Sequence, residues 1–236
     1  MNAIRDFSDP DIRKLLRGRK KTALIPVGSL EQHGPHLPIS TDSDIVSEIA
    51  SRVAKRCGLL LLPTITYGVS FEHAPFFNLS VSPRALKGLL LEVCISLAKN
   101  RVHRIIILNG HHGNQKALNS LTNKISKISR GKAKVFVFSY WHFMKGEFDH
   151  AGFVETSLML AISNKARMKL AKKGLITDKM SKEQKTKISK LADVHFIKAT
   201  KNGVWGDPTG ATKRQGKQIL SQITQNIAKT VSKLTY

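Results

Sequence analysis

Acidic residues are scarce in this 236-residue chain: 16 Asp and Glu stand against 39 Lys and Arg, a formal charge of +23. The deficit is steepest after residue 160, where 17 basic and 4 acidic residues account for 13 of those charges. Such a bias suits nucleic acid, a membrane surface or an anionic substrate as partner. Other shortages narrow that choice. The chain has two cysteines, Cys57 and Cys94, each inside an apolar helical pattern. They read as buried free thiols, which excludes a disulfide framework and fits a reducing cytoplasm. The longest apolar runs, residues 58–63 and 105–108, fall far short of the ~20 residues of a membrane helix. The N-terminus opens on charged residues without an apolar core of signal-peptide length. These absences predict a soluble, cytoplasmic protein with no membrane partner. Hydrophobic residues make up 41% of the chain, enough to bury a sizeable core and to exclude global disorder.

The pattern along the chain alternates strands with helices. Residues 23–28, "ALIPVG", read as a buried strand running into a polar loop, and a helix follows from about Asp44 with Ile45, Ile49 and Val53 on one face. "LLLLPTITYG" reads as a second strand. Ser82-Pro83 opens a helix with Leu86, Leu89, Leu90, Val93 and Leu97 at helical spacing, since proline needs no amide donor in a first turn. "RIIILNG" and "KVFVFSY" are the third and fourth strands, with a helix between them from about Gln115. Another helix is expected over 155–173, and the last ~25 residues read as helical from their spaced Ile and Val. Strands alternating with helices predict an α/β fold with a mainly parallel sheet. No linker divides the chain, so one domain over 1–236 is expected. The stretch 165–190 holds ten basic and two acidic residues and reads as a solvated helix face or a flexible excursion.

Ligands in open α/β sheets bind at the carboxyl ends of the strands. Three of the predicted strands end in loops that contain histidine. "GSLEQHGPHLPISTD" offers Glu31, His33 and Asp42, and this mixture of carboxylate and imidazole suits Zn, Mn or Fe(II). "NGHHGN" follows an apolar strand directly, so His111 projects from the strand end as a ligand while His112 reads as a pocket-wall residue. "DHAGFVETS" places His150 before a helix and Glu155 in its first turn. Such a pair can orient substrate, shuttle a proton or add a ligand, although acids at a helix N-terminus are also favourable without any site. "GVWGDPTGAT" holds no cluster of good ligands beyond Asp207 and reads as a turn that shapes a pocket or a subunit contact.

In this order, from Pro26 to Thr212, the four strings resemble the creatininase (creatinine amidohydrolase) family. The resemblance implies a single three-layer α/β domain, a homo-oligomer (often a hexamer) and one or two divalent metals. It implies that Glu31 and His111 bind one metal, that His33 binds the other, and that Asp42 bridges them. His150 matches a histidine of proton transfer or substrate binding, Glu155 a nearby acid, and Ser70 a substrate-contacting position. Two departures stand out. Creatininase proper has a glutamate where this chain has Gly113, and relatives with glycine there have a glutamate where this chain has Phe153. Glu155 or water is left to complete the second metal site. The "F-P-G-T" segment is also altered, to "PFFNLS".

The resemblance implies metal-assisted hydrolysis of a non-peptide amide C–N bond in a small-molecule substrate. Gly113 is similar to the non-creatinine branches. Among them are formamide hydrolases of archaeal riboflavin and F420 biosynthesis, whose formylamino-pyrimidine nucleotide is anionic and suits a basic protein. Creatinine or another small amide is the alternative substrate. A nucleic-acid-binding protein on a degenerate enzyme scaffold is the alternative from another class. No nucleic-acid motif accompanies the lysines, so a solvated surface is the preferred reading of them.

Overall fold

The computed structural model describes residues 3–17 and 21–234. In chain order the elements are α1 (Asp9–Leu16), β1 (Thr22–Val27), α2 (Thr41–Cys57), β2 (Leu60–Leu61), α3 (Pro83–Lys99), β3 (Arg104–Asn109), α4 (Gln115–Leu118), α5 (Leu121–Ile128), β4 (Lys134–Ser139), α6 (Phe153–Ile162), α7 (Lys182–Ala192), α8 (Phe196–Thr200) and α9 (Lys213–Leu234). The strands form one parallel sheet in the order β2-β1-β3-β4.

Successive side chains of a strand face opposite sides, and both sides are buried here. Leu24 of β1 and Ile106 and Leu108 of β3 join one apolar cluster with α2, α6 and α9, including Ile45, Ile49, Leu158, Ile223 and Ile227. Ala23, Ile25 and Val27, with Ile105 and Ile107, join the other with Leu86 and Leu90 of α3 and Leu121 and Ile125 of α5. The result is helix, sheet, helix: the three-layer α/β architecture expected. Val27 pairs with Asn109, and Asn109 with Ser139. The carboxyl ends of β1, β3 and β4 are therefore level, and their loops leave the sheet along one edge.

Three elements differ from expectation. α2 begins at Thr41, three residues early, because the Thr41 amide and hydroxyl both donate to the Pro38 carbonyl (3.1 and 2.6 Å). This puts Asp42 on a rigid helical turn, not on a loop. The ladder of β2 is only two residues long, since Pro63 has no amide to extend it. α6 stops at Ile162 instead of reaching 173. Beyond it the Lys165 ammonium pairs with Asp44 at 2.8 Å and the Arg167 amide donates to the His36 carbonyl at 2.7 Å, tertiary bonds that replace helical ones. Part of the lysine-rich stretch is α7, begun by a Ser181/Gln184 capping box. Both cysteines are free; Cys94 is buried and Cys57 half-buried. Among the described residues no helix is long and apolar enough to cross a membrane.

Candidate metal centre

The loops after β1 and β3 are tied together before any chemistry is built on them. The Asn114 side chain accepts from the Val69 amide (2.9 Å) and donates to the Gly28 carbonyl (3.0 Å) and Asn109 Oδ1 (3.2 Å). Asn109 Oδ1 in turn accepts from the His111 amide at 3.1 Å. All of these groups are buried, so Asn114→Ala leaves the Val69 amide and the Gly28 carbonyl without these partners and should cost about 2–4 kcal/mol in denaturant unfolding.

His111 is oriented by its ring. Nε2 donates to the Val69 carbonyl at 2.8 Å, which leaves Nδ1 bare. Nδ1 lies 3.0 Å from Asp42 Oδ2 and 3.2 Å from Glu31 Oε1. His33 is held in the opposite sense. Its Nδ1 donates to the Glu31 carbonyl at 3.1 Å, so the bare nitrogen is Nε2, 3.3 Å from Asp42 Oδ1 and 3.5 Å from Glu155 Oε2. Glu31, His33 and Glu155 are completely buried, and Asp42 and His111 almost so. Glu31 Oε1, His33 Nε2 and Asp42 Oδ2 have no hydrogen-bond partner among the described residues.

Imidazole lone pairs facing carboxylate oxygens repel unless a cation lies between them. Bonds of ~2.0–2.2 Å to a tetrahedral ion put neighbouring donor atoms ~3.3–3.5 Å apart, close to the separations here. The donor atoms of Glu31, Asp42 and His111 all lie within 4.8 Å of one another, as do those of His33, Asp42 and Glu155. Asp42 gives one oxygen to each set. A third set joins Glu31, His33 and His150. In metal-free protein protons supply the missing positive charge. The carboxylates around them push His111 well up and His33 up to about 10, against burial, which opposes both shifts.

Glu155 is held from three sides. Oε2 accepts from the Ala151 amide at 2.7 Å, Oε1 accepts from the Tyr140 hydroxyl at 3.4 Å, and burial pushes the carboxyl up to about 8 while His33 pulls it down. It does not cap α6. Asp149 does that, accepting from the amides of Val154 (2.8 Å) and Glu155 (3.4 Å). His150 lies beside the His33 ring, with centroids 4.2 Å apart, and burial with the charge on His33 pushes it well below the usual histidine range.

The centre forms the floor of a cavity of about 320 Å³. Phe148, Phe196 and Trp205 supply apolar wall, while Glu72, Asp149 and Asp193 supply carboxylates. His112 lines the cavity at its solvent-exposed side. Ser70 is fully buried, does not line the cavity, and its hydroxyl has no hydrogen-bond partner among the described residues.

Sequence reading overlooked two residues. His73 is buried with Nε2 3.1 Å from Glu31 Oε1. Gln32, between two candidate ligands, reaches both His73 and His150. The available signal for His73 was position, because it follows the second strand just as the other motifs follow theirs.

The family model for creatininase, described as creatinine amidohydrolase, matches residues 5–231. A mycofactocin precursor peptide peptidase of Mycobacterium ulcerans is 33% identical over 226 residues, 90% of this chain and 85% of that protein. A 2-amino-5-formylamino-6-ribosylaminopyrimidin-4(3H)-one 5'-monophosphate deformylase of Methanobrevibacter ruminantium is 36% identical over 96 residues, 40% of this chain and 41% of that one. A crystal structure of creatinine amidohydrolase superposes with a TM-score of 0.82 at 22% identity, covering 99% of this chain and 98% of that one. Solved creatininases of the same fold include a Zn–Zn form of a mutant and a Mn form. This chain belongs to the creatininase family, hydrolases of amide C–N bonds.

Proposed function

We propose that this protein is a two-metal amide hydrolase, with one ion held by Glu31, Asp42 and His111 and a second by His33, Asp42 and Glu155. The observation that carries this reading is the pair of imidazole lone pairs, each turned by a backbone carbonyl toward two buried carboxylate oxygens. The mixed nitrogen and oxygen donors suit Zn, Mn or Fe(II). Bound there, divalent ions supply Lewis-acid polarisation of an amide carbonyl and a lowered pKa for water.

The remaining work falls to the chain. His150 is neutral at neutral pH and lines the cavity. It accepts a proton from the attacking water and returns it to the departing nitrogen, which cannot leave as an anion. Glu155, the alternative proton carrier, is committed to Ala151, Tyr140 and the side facing His33. Phe148, Phe196 and Trp205 exclude water from the reacting bond.

The substrate is an amide on a neutral or positively charged group. Among the described residues no Lys or Arg lines the cavity, whereas Glu72, Asp149 and Asp193 do, besides Asp42 and Glu155 of the centre itself. That lining speaks against a phosphorylated formylamino-pyrimidine, and the deformylase resemblance spans less than half of this chain. The peptidase resemblance runs along most of it, so a peptide amide belongs in the tested set beside formamides and creatinine. The basic stretch gives no support to nucleic acid: Lys182, Lys187 and Lys190 are exposed on α7, whose end at Ser189 and Ala192 covers the cavity. Exposed Phe71, Phe76, Phe77 and Leu79 support a homo-oligomer.

Metal analysis should find about two ions per chain. Chelation should lower amide hydrolysis by roughly 100-fold or more, restored by Zn or Mn. Full activity in chelated, metal-free protein would sink this reading.

A further inference from the structure

Gln32 is buried among four polar groups, and a count of protons decides how they are shared. Its Oε1 accepts from the Gly34 amide at 2.9 Å. Its Nε2 lies 2.9 Å from His73 Nδ1, 3.2 Å from His150 Nε2 and 3.3 Å from the Gly203 carbonyl. An amide nitrogen has two protons for these three neighbours. The Gln32 backbone carbonyl, 3.1 Å from His150 Nε2, resolves the excess. A carbonyl only accepts, so a bare Nε2 there would set two lone pairs against each other, whereas a protonated Nε2 donates to it. The two amide protons then go to His73 Nδ1 and to Gly203, and every donor has an acceptor.

We infer that Gln32 is a positioning residue that fixes the protons of both pocket histidines on Nε2. His73 Nε2–H then faces Glu31 Oε1 at 3.1 Å and presents its positive edge to a candidate metal ligand. His150 keeps Nδ1 bare, 4.0 Å from Glu31 Oε1, as the nitrogen that exchanges protons with substrate. The fourth motif gains a purpose here. A Cβ at Gly203 would lie 2.0 Å from Gln32 Oε1, and its φ of +76° also favours glycine. The antiparallel bridge between His150 and Trp205, with amide–carbonyl bonds of 3.1 and 2.8 Å, clamps the His150 backbone alongside. Loops from three of the four motifs thus meet at one amide side chain.

The proton positions follow from hydrogen bonding alone; their catalytic meaning rests on the proposed amide hydrolysis. The test therefore uses metal-free protein. Long-range 1H–15N spectra at about pH 8.5, above the ordinary histidine range, should show His73 and His150 each with a bare Nδ1 and a protonated Nε2. Gln32→Met, which keeps the length but not the amide, should remove the single-tautomer signature of His73. His36, whose Nε2 contacts Thr156 Oγ1, should keep its own signature. Zinc affinity of the variant should fall about 10–100-fold, the usual effect of losing a group that orients a ligand. A protonated Nδ1 on either histidine in the wild-type spectrum overturns the inference, as does a folded Gln32→Met with unchanged His73 signals. The wild-type spectrum decides even if the variant fails to fold. It also stands apart from the metal and chelation tests.

Discussion

Asp42→Asn should lower kcat/KM by about 10³-fold or more, roughly 4 kcal/mol of transition-state stabilisation, and reduce bound metal from two ions to at most one. The change is nearly isosteric, and its chemistry is specific. Asp42 presents Oδ2 to His111 Nδ1 and Oδ1 to His33 Nε2. An amide keeps one weak neutral oxygen and turns an N–H toward the other set, so one site gains a donor where it needs an acceptor. The neighbouring acid is the control. Asp44, two residues on, pairs with Lys165 at 2.8 Å and accepts from Ser40 at 3.0 Å, away from the cavity. Asp44→Asn should leave metal content and turnover within about threefold and cost at most ~1 kcal/mol. Metal content by plasma emission and circular dichroism of both variants make the comparison. Two retained ions and near-normal turnover in Asp42→Asn would remove Asp42 as the bridge.

Gly113→Glu should be the most damaging single change at the rim of the centre, although it introduces the residue that creatininase proper has there. A Cβ at this position would lie 2.1 Å from the Val69 carbonyl oxygen, 2.5 Å from His111 Nε2 and 2.7 Å from Glu72 Oε1. The first two atoms form the hydrogen bond that orients His111, so neither can retreat without turning the ring. We expect a loss of about 3 kcal/mol or more, the upper range for overpacking, together with loss of metal. Gly113→Ala should show most of the same loss, because the clash begins at Cβ. Thermal unfolding and metal content of the two variants check this; a Gly113→Glu protein with wild-type stability and metal would refute it. Glu72 fills the space that a longer residue would need, and in the proposed second set the carboxylate would come from Glu155, beside His33 and Asp42.

The Glu155 position shows where sequence reading ran out. Motif comparison left the second site short of a carboxylate, because the familiar positions hold Gly113 and Phe153. Which acid replaces them depends on where the first turn of α6 points. That direction is set by α6 packing against α2 and α9 through Leu158 and Met159, and by Asp149 capping the helix so that Glu155 is not used for it. Gln32 was overlooked for another reason. A neutral amide carries no charge and titrates nothing, and its partners His73, His150 and Gly203 are 41, 118 and 171 residues away.

Local pattern was enough for what depends on local physics. The continuous apolar runs of "ALIPVG" and "RIIILNG", the proline-led start of α3 and the amphipathic tail determined an α/β fold with a parallel sheet. The acids and histidines that follow β1 and β3 in sequence made Glu31, His33, Asp42 and His111 legible as candidate ligands. The tertiary structure alone decided which ring nitrogen of His111 and His150 faces a backbone carbonyl, because the carbonyls of Val69 and Gln32 lie 42 and 118 residues away. It alone decided that α6 ends at Ile162, since bonds to Asp44 and His36 outcompete the helix. It alone paired Glu155 with His33 and Asp42, a contact that close packing across the layers creates and no spacing along the chain encodes.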